Sequence, residues 1–314
     1  MSVAGVWDDD PVRLAEAAAR YGLRAFERPE DLLAACRAAA ICSETAEHPR
    51  LVELCCRAGV HVLCEKPTAI DLSGCRKIKR LVEGAGIVFY QSFPQRHIPS
   101  NLRIKQLLAE GTLGRVTHVR KRHGHHYGLL GLDRQMPWIV DPSRAGGGAL
   151  LDEGVHESYV LDWFFGQPLS VTAELAFHGS YPVESSGVAL YRFPGDMLCT
   201  LEAGWNWWAG GPTTEIYGER GVILQYHTDC ASNSDSRRWP HLCIYRAETT
   251  AWELLDLPWD FAAIHTLAPR DFVSVVIEGS APPTGIDEGL RAMAMIEGAY
   301  RAARERRSVS FPLD

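Results

Sequence analysis

His61-Val62-Leu63-Cys64-Glu65-Lys66-Pro67 is the stretch whose reading decides the fold. The apolar residues before Glu65 favour a short strand buried on both faces. Pro67 cannot donate to a sheet ladder and keeps Lys66 out of the helical region. Glu65 and Lys66 therefore sit at the carboxyl end of a strand, where open α/β sheets bind ligands. Taken alone, the stretch reads equally well as a surface turn with a solvated Glu–Lys pair. Its neighbours shift the balance. Residues 38–42 form a second short apolar strand, and 49–58 a helix with Leu51, Leu54, Cys55 and Ala58 inward and Gly59 as its stop. Asp71 opens another helix that Gly84 and Gly86 close, and 87–90 is a further strand. A helix from Pro29 to about Arg37 precedes them. Strand and helix alternate, which predicts a parallel sheet with helical crossovers.

At the front, Val3-Ala4-Gly5-Val6-Trp7 reads as a buried strand running into Asp8-Asp9-Asp10. Asp10 is a helix N-cap with Pro11 at the first helical position. Leu14, Ala17, Ala18 and Tyr21 share the inward face, and Gly22 is the stop. A dinucleotide-binding unit opens with a strand, a Gly-x-Gly-x-x-Gly turn and a helix, and an acid ends its second strand. Asp8 fits that acid, and no such glycine turn stands before it. The expectation is a Rossmann-type domain over residues 1–95 that lacks its first strand–turn–helix, exposes a sheet edge and binds a dinucleotide weakly.

A hydrophobic content of 46% and a charged content of 23% are those of an ordinary globular chain. The formal net charge of −7, with no basic run to offset it, argues against nucleic acid as a partner. No apolar run is long enough to span a bilayer, and the N-terminus does not read as a signal peptide. The nine cysteines are odd in number and contain no Cys-x-x-Cys, so reduced thiols in a cytoplasmic protein are expected.

After Pro99 the pattern changes. A connecting helix ends at Gly111, and from Val116 strands with polar alternation dominate. Pro194-Gly195-Asp196 lies between residues 188–193 and 197–205, a hairpin signal, and Gly218-Glu219-Arg220-Gly221 separates two more strands. Further strands are placed at 242–246 and 252–257, and helices at 269–278 and 288–304. Residues 96–314 thus read as an α+β domain with a mostly antiparallel open sheet. Its helix-free face must be covered. Trp205, Trp207, Ile216 and Ile223 are assigned to that face, and a homodimer or homotetramer is expected.

A second motif is Gly146-Gly147-Gly148-Ala149-Leu150-Leu151-Asp152-Glu153-Gly154-Val155-His156, followed by a helix to Gly166. The glycines allow a tight turn or close approach to a ligand. Asp152 and His156 are four apart on one helix face, and a His beside a carboxylate is a tuned acid/base. An isolated pair of this kind is more often an exposed polar pair. The combination is more specific. Ala58-Gly59-Val60-His61 leading into Glu65-Lys66-Pro67, then the glycine run with Asp152 and His156, resembles the Gfo/Idh/MocA family of NAD(P)-dependent oxidoreductases. Ser43 through His48, Arg96 with Pro99, Gly111-Thr112-Leu113-Gly114 and Ile216–Gly221 also match its pattern, with Glu44 where a proline is usual.

The resemblance implies hydride transfer between NAD(H), less readily NADP(H), and a hydroxyl or carbonyl of a sugar, cyclitol or related polyol. Lys66 would bind the substrate oxygen, His156 would take or give its proton, and Asp152 would orient the substrate or the His. Asp8, Ser43, Glu44, His48, Glu65, Lys66 and Arg96 would line the cofactor site. The alternative is a non-catalytic relative that binds a sugar or a protein partner, or a truncated product with impaired cofactor binding. His123 and His125 share a strand face and are assigned to the substrate pocket; their spacing offers too few ligands for a metal site.

Overall fold

The computed structural model describes residues 2–208, 211–226 and 239–313. The N-terminal half runs α1 (Pro11–Tyr21), α2 (Pro29–Ala34), β1 (Ala38–Ile41), α3 (His48–Ala58), β2 (His61–Cys64), α4 (Leu72–Ala85) and β3 (Phe89–Gln91). Helix α5 (Pro99–Ala109) leads into β4 (Val116–Gly124), and short helices α6 (Leu132–Gln135) and α7 (Pro142–Ala145) follow. Then come α8 (Ala149–Asp152), α9 (Gly154–Phe165), β5 (Ser170–Ala176), β6 (Ser186–Phe193), β7 (Met197–Gly204), β8 (Thr214–Gly218) and β9 (Gly221–Gln225). The described chain closes with β10 (Leu242–Arg246), β11 (Ala251–Leu255), α10 (Phe261–Glu278), α11 (Ile286–Glu305) and β12 (Val309–Ser310).

Strands β1, β2 and β3 form a parallel sheet in that order, with Ile41 beside Cys64 and Cys64 beside Gln91. The stretch that decided the fold is buried on both faces as expected. Val62 and Cys64 join the main core with α3 and α4, while Leu63 packs with Tyr90 against Ala268 and Phe272 of α10. A helix from the far end of the chain thus covers one face of this sheet. Helix α4 is capped by the Asp71 side chain, and Gly86 ends it in the left-handed conformation at φ 64°.

The front of the chain departs from the reading. Val3–Trp7 does not form a ladder. Val6 makes one parallel bridge to Ala25, through Val6 N–H to Arg24 O and Phe26 N–H to Val6 O. Asp10 caps α1 as predicted, accepting from the N–H groups of Val12 and Arg13. The helix buries none of its residues, and Tyr21 is exposed, because no described element packs over its apolar stripe.

Among the described residues the second sheet has nine strands, in the order β11-β10-β9-β8-β4-β7-β6-β5-β12. Its pairs are antiparallel except β4 with β7, where Val119 lies beside Cys199. Both predicted hairpins form, closing at Phe193–Met197 and Gly218–Gly221. Val119, Tyr191, Leu201, Ile216, Ile223 and Ile244 are buried on the inner face, in one core with residues of α9 and α11. The assignment of Ile216 and Ile223 to the uncovered face is therefore wrong. Trp205 is also buried, in a smaller cluster with Leu132, Ile139, Val140, Ala149 and Val183. Period-two pairing puts Val188, Leu190, Leu224, Trp252 and Leu254 on the outer side instead. Alternation was read correctly but its phase was not.

Helix α10 starts well before Pro269. Asp260 caps it by accepting from Ala263 N–H, and the proline stands inside the helix. Eight described cysteines are free thiols, and Cys230 lies outside the described residues. Among the described residues no helix is long and apolar enough to cross a membrane.

Candidate active site

The glycine run is shaped by its protein neighbours. Gly146 sits at φ 93°, and a Cβ on Gly148 would lie 1.9 Å from the Glu184 carbonyl oxygen. The buried Glu184 carboxylate accepts from Gly148 N–H at 3.1 Å, Leu150 N–H at 2.9 Å and Tyr300 O–H at 2.6 Å. This brace sets the direction of α8. Sequence reading missed Glu184, because nothing local marks an acid whose partners lie far along the chain.

At the other side, the end of β2 is fixed by buried polar contacts. Gln91 Nε2 donates to the carbonyl oxygens of Cys64 and Glu65, both at 3.0 Å, and Thr68 Oγ1 donates to Gln91 Oε1 at 2.7 Å. Ser92 Oγ donates to Glu65 Oε1 at 2.8 Å. Lys66 then reaches across to α8. Its Nζ lies 2.6 Å from Asp152 Oδ1 and 3.0 Å from the Asp152 carbonyl oxygen. Trp205 Nε1 donates to Asp152 Oδ2 at 3.2 Å. Burial pushes the Lys66 ammonium down, but Asp152 and Glu153 outweigh it and hold the group cationic.

The backbone stays helical at Glu153, yet the expected Asp152–His156 pair does not form. Both Asp152 oxygens are engaged by Lys66 and Trp205, while His156 Nδ1 is buried without a hydrogen-bond partner among the described residues. The His156 ring stacks on His123 at 5.5 Å. Burial, Lys66 and His123 hold the His156 imidazole well below its ordinary value, so it is neutral.

Behind His156 runs a ladder of charges. Lys121 and His123 lie on one face of β4, with His125 one residue past its end, and meet Glu157 and Glu153. Lys121 Nζ lies 2.8 Å from Glu157 Oε2, and His123 Nδ1 2.8 Å from Glu157 Oε1. His123 Nε2 lies 3.0 Å from Glu153 Oε2, and His125 Nε2 2.5 Å from Glu153 Oε1. Tyr127 N–H donates to His125 Nδ1, so Nε2 of that ring carries the proton it gives Glu153. His123 meets both carboxylates as a donor only when both ring nitrogens are protonated. Burial pushes Glu153 up, but His123 and His125 outweigh it and keep the carboxyl well below its usual range. Glu157 is likewise lowered, with Lys121 and His123 overcoming burial. His125, Asp152 and Glu153 offer ligand atoms within 4.8 Å of one another, and Lys66 and the His125 N–H already engage those oxygens. The set is an internal ion network.

These groups share a cavity of about 420 Å³. Ser43 and Thr45 after β1, and Glu65 and Lys66 after β2, form one side. Asp152, Glu153 and His156 face them, with His123 and His125 beside. The carboxyl ends of parallel strands open onto it, which is where a nicotinamide dinucleotide fits an α/β sheet.

The family model described as "Oxidoreductase family, NAD-binding Rossmann fold" matches residues 1–93, and the one described as "GFO/IDH/MocA C-terminal domain" matches 101–224. The chain belongs to the Gfo/Idh/MocA family.

As a Gfo/Idh/MocA member it is 29% identical over 259 residues to myo-inositol dehydrogenase Hyg17 of Streptomyces leeuwenhoekii, covering 79% of this chain and 72% of that protein. It is 30% identical over 163 residues to the trans-1,2-dihydrobenzene-1,2-diol dehydrogenase of Bos taurus, covering 50% of this chain and 46% of that enzyme. The match thus spans about half the length of that relative. Among solved structures, a levoglucosan dehydrogenase in complex with NADH and levoglucosan superposes with a TM-score of 0.84 at 20% identity, covering 98% of this chain and 89% of that one. The N-terminal match takes in residues 1–93 and does not bear out the expectation of a missing opening unit.

The other residues assigned to the cofactor in this Gfo/Idh/MocA chain divide by position. Ser43, Glu65 and Lys66 line the cavity. His48 is buried behind it, with Nδ1 2.9 Å from the Pro67 carbonyl oxygen and Nε2 3.1 Å from that of Ser43. It ties the loop after β1 to the turn after β2. Glu44 is held by an ion pair to Arg144. Arg96 donates to Tyr159 O–H at 2.9 Å and lies over the Trp163 ring, lining a separate pocket with Asp162, Glu288 and Arg291. Asp8 is half-buried and meets Arg13, whose Nε lies 3.0 Å from Asp8 Oδ1. The offsetting base stands five positions past Asp8, in the first turn of α1.

Proposed function

We propose that the chain is a dehydrogenase that oxidises a hydroxyl of a sugar, cyclitol or related polyol, with NAD as hydride acceptor. The observation that carries this reading is the convergence, in one cavity at the strand ends, of a cationic Lys66 fixed by Asp152 and a neutral His156. The dinucleotide, when bound, supplies the hydride-accepting carbon. Lys66 donates to the substrate oxygen and stabilises the negative charge that develops there. His156, with its imidazole neutral, takes the hydroxyl proton. Asp152 keeps Lys66 charged and aimed, so its effect on the reaction passes through the lysine. Asp8 would accept from the adenosine ribose, and Ser43 and Glu65, which line the cavity, would face the dinucleotide. The Rossmann-type part is taken as residues 1–95 and the substrate-binding part as 96–314.

The alternative, a sugar binder without turnover, gives no account of a buried lysine, aspartate and neutral histidine gathered around one cavity. The test is NADH formation from a panel of inositols, aldoses and anhydrosugars, by the native chain and by Lys66→Ala and His156→Ala. Each variant is expected to lose about 10²-fold or more in rate. Absence of NADH formation across the panel, or native turnover by both variants, overturns the reading.

A further inference from the structure

We propose that the pocket beside Trp163 is an oxyanion site, in which Arg96 and Lys105 take a phosphate or carboxylate group of a small organic molecule. The pocket shares no lining residue with the active-site cavity, and the proposal does not rest on the dehydrogenase reading.

The pocket has a volume of about 470 Å³. Arg96 reaches it from the turn after β3, Asp162 and Trp163 from the last turn of α9, and Glu288 and Arg291 from the first two turns of α11. Arg96 Nη1 donates to Tyr159 Oη at 2.9 Å, and its guanidinium carbon lies 5.1 Å from the centre of the Trp163 ring. Tyr159 is buried and stacks on Phe93 at 4.2 Å, so the arginine rests on a fixed support. Lys105 on α5 approaches the same indole, with Nζ 5.9 Å from the ring centre, and donates to the Trp163 carbonyl oxygen. Two cations thus share one ring, whose face attracts each of them but carries no net charge to neutralise either. Burial pushes the Lys105 ammonium down, and Arg96 adds to this while Asp162 opposes it.

The acids at the pocket do not answer these two charges. Arg291 takes both of them, with Nε 2.9 Å from Asp162 Oδ2 and Nη2 2.7 Å from Glu288 Oε1. Gln167 Nε2 donates to the other oxygen of Asp162, and the Gly285 N–H to the other oxygen of Glu288. Arg96 and Lys105 each make one hydrogen bond among the described residues, and neither bond is to a carboxylate. A guanidinium carries five N–H donors and an ammonium three, so donors are in surplus here while the carboxylate acceptors are taken. A cation would be repelled by the two unpaired charges. A sugar hydroxyl needs an acceptor as well as a donor. An oxyanion uses the surplus fully, since the guanidinium meets it in fork geometry and the ammonium as a point charge. A pocket of this volume holds more than a bare ion, which makes the anion one group of a larger molecule.

The experiment is calorimetric titration of the full chain with inorganic phosphate, glucose 6-phosphate and citrate, in Tris chloride at fixed ionic strength. At least one of the three is expected to bind with a Kd of about 1 mM or lower. Binding by the two phosphates assigns the group as phosphate, and binding by citrate assigns it as carboxylate. Arg96→Gln and Lys105→Gln, each checked for a native melting profile, are expected to weaken that binding by about tenfold or more. Lys105 is half-buried and bonds only a backbone carbonyl, so its variant carries the test if Arg96→Gln fails to fold. Absence of binding by all three anions overturns the proposal. Binding that both variants leave unchanged also overturns it, since the anion then sits elsewhere. NAD, titrated in the same way, is expected to bind Lys105→Gln as it binds the native chain. A parallel loss of NAD binding would make the oxyanion the dinucleotide's own and overturn a separate site.

Discussion

Lys66 and Asp152, 86 residues apart, meet with Nζ 2.6 Å from Oδ1, and this contact joins the end of β2 to the end of α8 across the cavity. A cation so placed is useful to hydride transfer only while it stays charged, and Asp152 is the neighbour that keeps it so. Lys66→Ala removes the donor and is expected to lower kcat by about 10²-fold or more. Asp152→Asn keeps the shape but withdraws the charge that opposes burial, so the Lys66 ammonium titrates lower. In the kcat/KM profile for oxidation, the alkaline limb tied to the lysine should move to lower pH in Asp152→Asn. An unmoved limb with native kcat would remove Asp152 from the role of positioning Lys66.

On the proposed mechanism, His156 is expected to set the acid side of the same profile. Burial, Lys66 and His123 hold its imidazole well below 6.5, so the base form persists as pH falls through that value. The expected kcat/KM for oxidation is therefore level through pH 6.5 and declines only below it. The same depression has the opposite consequence for folding. Burial likewise pushes His48 down, and in the unfolded chain both rings bind protons near their ordinary value. The unfolded state then takes up protons that the folded state refuses, and stability falls as pH drops below 6.5. Melting temperatures between about pH 7 and about pH 5.5 should decline, and less steeply in His156→Gln. A flat native curve would contradict the burial of these two imidazoles.

The charge ladder behind the cavity makes a stability prediction. Lys121 and Glu157 are both fully buried and lie 2.8 Å apart. Breaking a buried pair strands the remaining charge, which costs about 3–5 kcal/mol. Lys121→Met and Glu157→Leu alone should each destabilise by about that amount in urea unfolding. The double variant should recover part of the loss, since Lys121 and Glu157 leave together and only the His123 Nδ1 contact to Glu157 is lost with them. Additive losses would show that the pair does not act as a unit.

The sequence yielded the parallel sheet, both hairpins and the residues that meet in the cavity, because each rests on local signals. Pro67 ends a strand, Asp10 and Asp71 cap helices, and Gly86 stops one. What was not legible depends on distant partners. Asp152 was paired with His156 from spacing alone, and Lys66 and Trp205 took both its oxygens instead. His123, Glu153, His125 and Glu157 form a network only once β4 lies against α9, so the spacing of the two histidines showed a shared face but not their carboxylates. His48 looked like a cofactor contact because its motif follows a strand, yet both ring nitrogens face backbone carbonyls.

The outer face of the nine-stranded sheet carries Val188, Leu190, Trp252 and Leu254, all exposed, around the Arg120–Glu202 pair. A broad face of this kind is expected to pair with a second copy as a dimer or tetramer. Sedimentation velocity at micromolar concentration should give more than the monomer mass, and Leu190→Asp with Val188→Asp should lower it. A monomer in the native chain would count against this face as an interface.

Cofactor choice is expected to turn on Asp8 and Arg13. Asp8 at its present position would accept from ribose hydroxyls and repel a 2′-phosphate, favouring NAD over NADP. Arg13 already lies beside it, with Nε 3.0 Å from Asp8 Oδ1 and Nη2 2.8 Å from Asp9 Oδ1. Removing the carboxylate therefore does more than end a repulsion: it leaves the guanidinium held only by the exposed Asp9 and Asp10, from which a 2′-phosphate in fork geometry can draw it. Asp8→Ala is expected to shift the NADP-to-NAD ratio of kcat/KM upward by about tenfold or more, equivalent to about 1.4 kcal/mol. Asp8→Ala with Arg13→Ala should lose that gain while still lacking the ribose contact, leaving both cofactors weak. If the single variant weakens NAD without improving NADP, Arg13 does not reach the 2′ position. If it changes neither, Asp8 does not touch the ribose.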